Sequence, residues 1–223
     1  MKRFLLGAGC LMLSAATAVA AELRPETIAA WNRYVAKAET RLHRTRATEP
    51  QGRNIDVPGG TIYHWRGSTI VRGTTVDRVV RRLTHPGTPP PQEDVLESRV
   101  LSRRGDNDLH VYLKLARSVL VTVVYDTEHD VAFQRPSARM ATSRSVSTRI
   151  AESGGNDRGF LWRLNSYWRY TQVGRDVLIE LESLSLSRDV PRVARPIAVP
   201  IANRIARESV ARTLGSVRAF LES

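Results

Sequence analysis

Cysteine is almost absent: the 223-residue chain has one, Cys10, inside an apolar leader. A chain that loses this residue on export has no disulfide, so its stability must come from a buried hydrophobic core. Lysine is nearly as scarce, confined to Lys2, Lys37 and Lys114, and the formal charge of +12 is carried almost wholly by arginine. The arginines are dispersed from Arg24 to Arg218 with no basic block. That is the pattern of a solvated surface and not of a nucleic-acid-binding stripe. No two of the histidines at positions 43, 64, 85, 110 and 129 stand three or four residues apart. With no cysteine to help, this leaves a structural zinc site without ligands, and no metal is expected. The chain also lacks a Gly-x-Ser-x-Gly elbow, a Walker A loop and a Gly-x-Gly-x-x-Gly turn. Elbow-type serine hydrolases and nucleotide enzymes are thereby excluded, and no cofactor is implied.

The apolar run from Phe4 to Ala18 is too short to span a bilayer core of about 30 Å. Lys2 and Arg3 precede it and Ala18-Val19-Ala20 ends it, the layout of a secretory signal peptide over residues 1–20. The protein is therefore expected to be exported, to a periplasm or beyond the cell. Cys10 does not make a lipoprotein signal, because the residue three before it is Gly7 and not Leu. Without Lys2 and Arg3, 32 cationic residues face 22 acidic ones. Such an excess allows peripheral contact with an anionic membrane, through arginines such as Arg204, Arg207, Arg212 and Arg218.

Residues 25–46 read as an amphipathic helix, with Ile28, Trp31, Val35, Ala38 and Leu42 three and four apart. A connection over 47–60 holds a short strand near Ile55. The stretch TIYHWRGSTIV (61–71) is strand-like in its β-branched and aromatic content. Thr74 and Thr75 offer an N-cap to a short helix carrying Val76, Val79, Val80 and Leu83, which the proline-rich HPGTPPPQED (85–94) ends. The period then changes to two. Strands are expected over 95–103, 109–116, 119–133, 140–150, 160–171 and 177–187, with joins short enough for an antiparallel meander. Beyond SRDVPRVARP (187–196) the chain reads as helix to Leu221. Ile197, Ile201 and Ile205 lie on one side of it and Val210, Leu214, Val217 and Leu221 on the other, which predicts a break near 206–209.

Helix, strand, short helix, long meander and final helix is an order that resembles the START-like (SRPBCC-type) superfamily. HWRG (64–67), STRI (147–150), GFLWRLNSYWRY (159–170) and SLSRDVP (185–191) are similar to stretches in its functionally unassigned exported bacterial members. The resemblance implies an α+β helix-grip fold, a curved antiparallel sheet wrapped around the C-terminal helix, here with an additional N-terminal helix. It implies an apolar cavity between sheet and helix, and a hydrophobic small molecule or lipid as partner. The START-like part is expected over 55–223, after an N-terminal helix and connection over 21–54. The helix near Val76 is single and short, where many carriers have a pair.

Alternation divides GFLWRLNSYWRY into two faces. If Val173-Gly174 is the hairpin turn, Trp168 lies opposite Ile179 and Tyr170 opposite Val177, so Trp162, Leu164, Trp168 and Tyr170 share an apolar surface. On the other surface Tyr167 lies opposite Glu180 and Asn165 opposite Glu182, with Arg163 and Arg169 diagonal to them. The expected ligand wall is Trp65, Tyr125, Trp162, Trp168 and Tyr170, with Arg149 as polar anchor on the face of Ser143, Ser145 and Ser147. An enzyme of cyclase or hydrolase type in the same cavity is the alternative, with His64, His129 or Glu180 as acid or base. Expression in a secreting bacterium is expected to yield a chain that begins at Ala21, read by intact mass; an exported chain that retains Met1 would overturn the leader.

Overall fold

A computed structural model describes residues 23–42, 47–85, 94–118, 122–154, 160–190 and 193–223. The expected leader and most of the proline-rich loop lie outside these residues. The elements run α1 (Pro25–Glu39), β1 (Gln51–Val57), β2 (Gly60–Val71), α2 (Val76–Thr84), β3 (Val95–Arg103) and β4 (Asp108–Ser118). They continue with β5 (Thr122–Ser137), β6 (Met140–Glu152), β7 (Arg163–Val173), β8 (Asp176–Arg188) and α3 (Arg195–Glu222). All eight strands form one antiparallel sheet in the order β1-β2-β8-β7-β6-β5-β4-β3. This is the expected α+β helix-grip arrangement.

The sheet curls around α3, because both of its halves meet that helix. Val210 and Leu214 pack against Tyr63, Trp65 and Leu181 on β2 and β8. From the far edge, Asp94, the residue before β3, accepts a 3.0 Å bond from Arg212 Nε. Gly67 marks the closest approach: a Cβ there would stand 2.9 Å from Leu214 Cδ1 and 3.1 Å from Val210 Cγ1. The break predicted near 206–209 does not occur, and α3 is continuous. One helix suffices because only one stripe packs on the sheet; Ile197, on the opposite side, is 72% exposed.

On the sheet's other face α1 covers an apolar patch. Trp31 and Val35 pack there with Ile62, Trp162, Tyr167, Leu184 and Leu186. Burying each such aliphatic or aromatic side chain contributes roughly 1.5–3 kcal/mol. At one end of the inner face, α2 closes the core with Val76 and Val79, against Val71, Tyr170, Val177 and Ile179. Its start is pinned twice: Thr75 Oγ1 accepts from Arg78 N at 3.3 Å, and Gln172 Oε1 accepts from Val76 N at 3.0 Å.

Two registers differ from the expected ones. The β7–β8 turn is Gly174-Arg175, so Trp168 pairs with Leu181, Tyr170 with Ile179, Tyr167 with Glu182 and Arg169 with Glu180. Gly174 adopts φ 60°, which a hairpin turn of this length demands. The slip is two residues, so every side chain keeps its face. In β6, Ser147 pairs with His129 but Arg149 pairs with Glu128, leaving Thr148 as the extra residue of a β-bulge. Gly67→Val is expected to lower stability by about 1–3 kcal/mol by forcing α3 off β2, measured by thermal unfolding; an unchanged midpoint would refute the close contact.

Candidate functional site

The inner face of β4 to β7 is an apolar wall that α3 does not cover, since that helix lies chiefly over β2 and β8. Val111, Leu113, Val131, Leu164 and Trp168 are half-buried on this wall, although alternation turns all of them inward. The Trp168 and Tyr170 rings run parallel, 1° apart in plane with centroids 6.4 Å apart. Tyr170 is fully enclosed; burial raises its phenol pKa, and its hydroxyl meets Ser143 Oγ at 3.1 Å. Tyr125 is buried at the far end with Leu115 and Val123. Trp65 packs against α3.

Inside this wall lies His129, 2% exposed. Its Nε2 is 3.1 Å from Thr127 Oγ1, and Thr127 already donates its only proton to Leu113 O at 2.8 Å. His129 Nε2–H must therefore be the donor, which leaves Nδ1 to accept from Ser145 Oγ at 3.4 Å. The ring is held neutral: burial first, and then the nearby His110, bring its pKa down to about 4. Two further polar atoms at the helix–sheet interface are buried without a partner among the described residues. They are Trp65 Nε1 and Asn203 Oδ1. Asn203 is seven residues before Val210 and so shares the stripe of α3 that faces the sheet.

Several expected site residues lie elsewhere. Trp162 precedes the first paired residue of β7, where alternation does not yet operate, and it packs beneath α1 while Leu161 turns inward. Arg149 is carried to the outer face by the bulge, where it pairs with Glu128 at 3.3 Å. His64 and Glu180 also face outward, and of the three expected acid–base groups only His129 faces inward.

On the outer face, His64 Nε2 is 3.0 Å from Glu182 Oε2 and its Nδ1 is 2.9 Å from Tyr34 Oη. Tyr34 Oη also accepts from Arg53 at 3.2 Å. Arg169 grips Glu180 through Nε at 2.7 Å and Nη2 at 2.6 Å. The arginines expected to touch a membrane are largely compensated: Arg204 pairs with Glu208, Arg212 with Asp94, and Arg218 with Glu222, whereas Arg207 is exposed.

Neither the partners of His129 nor the Tyr34 contact was foreseen. The inward serines of β6 were visible as a pattern, but Tyr34 and His64 are joined only by tertiary packing. Among the described residues no cluster could hold a metal ion.

This arrangement of sheet and helix is the START-like helix-grip fold. The STAR-related lipid transfer protein from Xanthomonas axonopodis superposes with a TM-score of 0.53 at 18% identity, over 77% of this chain and 99% of that one. A protein from Thermus thermophilus superposes with a TM-score of 0.52 at 13% identity, over 71% and 96%. The sequence matches no protein-family model and no curated protein.

His129 also makes stability depend on pH. Its folded pKa lies below the ordinary 6.5, so the unfolded chain binds the extra proton between about 6.5 and about 4. The stabilisation is complete above pH about 6.5 and is lost as pH falls toward 4, on the order of 3 kcal/mol in all. Urea titrations across this window are expected to show the loss in the native chain and a flatter profile in His129→Gln; parallel profiles would refute the assignment.

Proposed function

We propose that the chain is an exported binding protein for a hydrophobic small molecule or lipid, held between the inner face of the sheet and α3. One observation carries this reading: an apolar wall left half-exposed beside the helix, with an unpaired donor, Trp65 Nε1, and an unpaired acceptor, Asn203 Oδ1, at the same interface. Ligand pockets are mostly apolar with a few polar groups that orient the ligand. Buried polar atoms without partners are rare enough to call for such an explanation. The lipid transfer protein of the same fold supports the ligand class.

In this reading Leu113, Val131, Leu164 and Trp168 contact the apolar body of the ligand, and the enclosed Tyr170 backs the Trp168 ring. Trp65 and Asn203 meet its polar end. Ser145, held by neutral His129 behind it, offers a second polar contact deeper in the sheet. A pKa near 4 makes His129 a weak base at neutral pH. Orientation of ligand therefore accounts for it better than acid–base chemistry of a cyclase or hydrolase.

Organic extraction of natively purified protein, followed by mass spectrometry, is expected to release a bound lipid or hydrophobic metabolite. The stripped protein should then take up one dansyl-labelled fatty acid per chain, with energy transfer from tryptophan. Trp168→Ala should weaken this about tenfold, the equivalent of about 1.4 kcal/mol. Absence of an extracted ligand together with non-saturable uptake would overturn the proposal.

A further inference from the structure

A second site lies on the opposite face of the sheet, independent of the groove. Gln51, Gly52, Arg53, His64 and Arg66 line a cleft of about 180 Å³ over β1 and β2. The register gives Gln51 opposite Arg66 and Arg53 opposite His64, so these four side chains project to one face. Arg53 and Arg66 are thus diagonal neighbours, with Cα atoms about 7–8 Å apart. That span suits two guanidinium groups closing on one tetrahedral anion.

The two arginines differ in how far they are satisfied. Arg53 spends one donor on Tyr34 Oη at 3.2 Å. Arg66 is half-buried and makes no hydrogen bond or ion pair among the described residues. A guanidinium has five N–H donors in a planar fork matched to carboxylate and phosphate oxygens. Leaving them unpaired in a partly desolvated cleft is costly unless something else accepts. The nearest buried carboxylate, Glu182, is engaged by His64 Nε2 at 3.0 Å. The same imidazole holds Tyr34, and through it Arg53, in place. The Glu182–His64–Tyr34–Arg53 chain therefore works as a positioning device that aims Arg53 beside Arg66.

We propose that this cleft binds a phosphate oxyanion, clamped between Arg53 and Arg66 with the Gln51 amide as a third donor. Free phosphate groups and the phosphate of a lipid headgroup present the same chemistry. Calorimetric titration of the full chain with inorganic phosphate, at constant ionic strength in chloride, addresses the first source. Co-sedimentation with phosphatidylcholine vesicles containing phosphatidylglycerol addresses the second.

Saturable binding in either arm is expected, weakened about tenfold or more in both Arg66→Gln and Arg53→Gln and unchanged when exposed Arg103 on β3 is replaced, Arg103→Gln. Binding of phosphate assigns a soluble ligand; binding of vesicles alone assigns a headgroup. Arg66→Gln removes no hydrogen bond or ion pair among the described residues, although Arg66 stands opposite Glu182 in the register, so its thermal midpoint is measured alongside and its affinity is read on folded protein. No saturable binding in either arm, or equal affinity in native and Arg66→Gln protein, would overturn the site. Neither result bears on fatty acid uptake by the groove.

Discussion

β8 is buried on both faces, and the rest of the molecule is arranged around that constraint. Val177, Ile179 and Leu181 face inward, while Leu178, Glu180, Glu182, Leu184 and Leu186 face outward, all of them buried. A strand covered on two sides needs two covers, which is why a helix packs on each face of the sheet near β8. It also carries two carboxylates out of water. Removing one partner of such a buried pair typically costs about 3–5 kcal/mol, so the groups that meet Glu180 and Glu182 are as structural as any leucine. Arg169 stands directly opposite Glu180 in the register, and His64 reaches Glu182 from β2.

The elements were legible because their periods were clean. Alternation in β4, β5 and β7, and the spacing of Ile28, Trp31 and Val35, each reflect a side chain that packs on one face only. Facing was legible wherever the ladder is unbroken, and it survived even the two-residue slip of the β7–β8 hairpin. It failed at Trp162, one position before the ladder, and at Arg149, beyond the Thr148 bulge. A bulge reverses facing for every residue after it, and nothing in STRI distinguishes a bulged strand from a regular one. The helix break failed for a different reason. Two apolar stripes do not require two packed faces: Ile197 is exposed and Ile201 and Ile205 are only half-buried.

The polar groups were the least legible part. His129 could be placed on a face by parity, but its tautomer depends on Thr127, whose own proton goes to Leu113 O across the β4–β5 ladder. Tyr34 and His64 lie thirty positions apart, and their contact exists only because α1 crosses β2 where it does. Asn203 reads as a neutral helix residue until α3 is known to pack through Val210 and Leu214. Such contacts are products of tertiary geometry, and no local pattern encodes them.

The groove and the cationic cleft share β2 without sharing a side chain. Trp65 turns toward α3 and His64 toward α1; Gly67 touches α3 and Arg66 lines the cleft. β2 is hydrogen-bonded to β8 along its whole length and to β1 from Gly60 to Arg66, so its backbone beside the cleft is held from both edges. A strand fixed in this way transmits little rotation between its faces, and adjacent residues can serve separate chemistries. At Gly67 α3 rests on bare backbone. Arg66 lies on the opposite face, held by the same paired backbone that lets the sheet grip the helix.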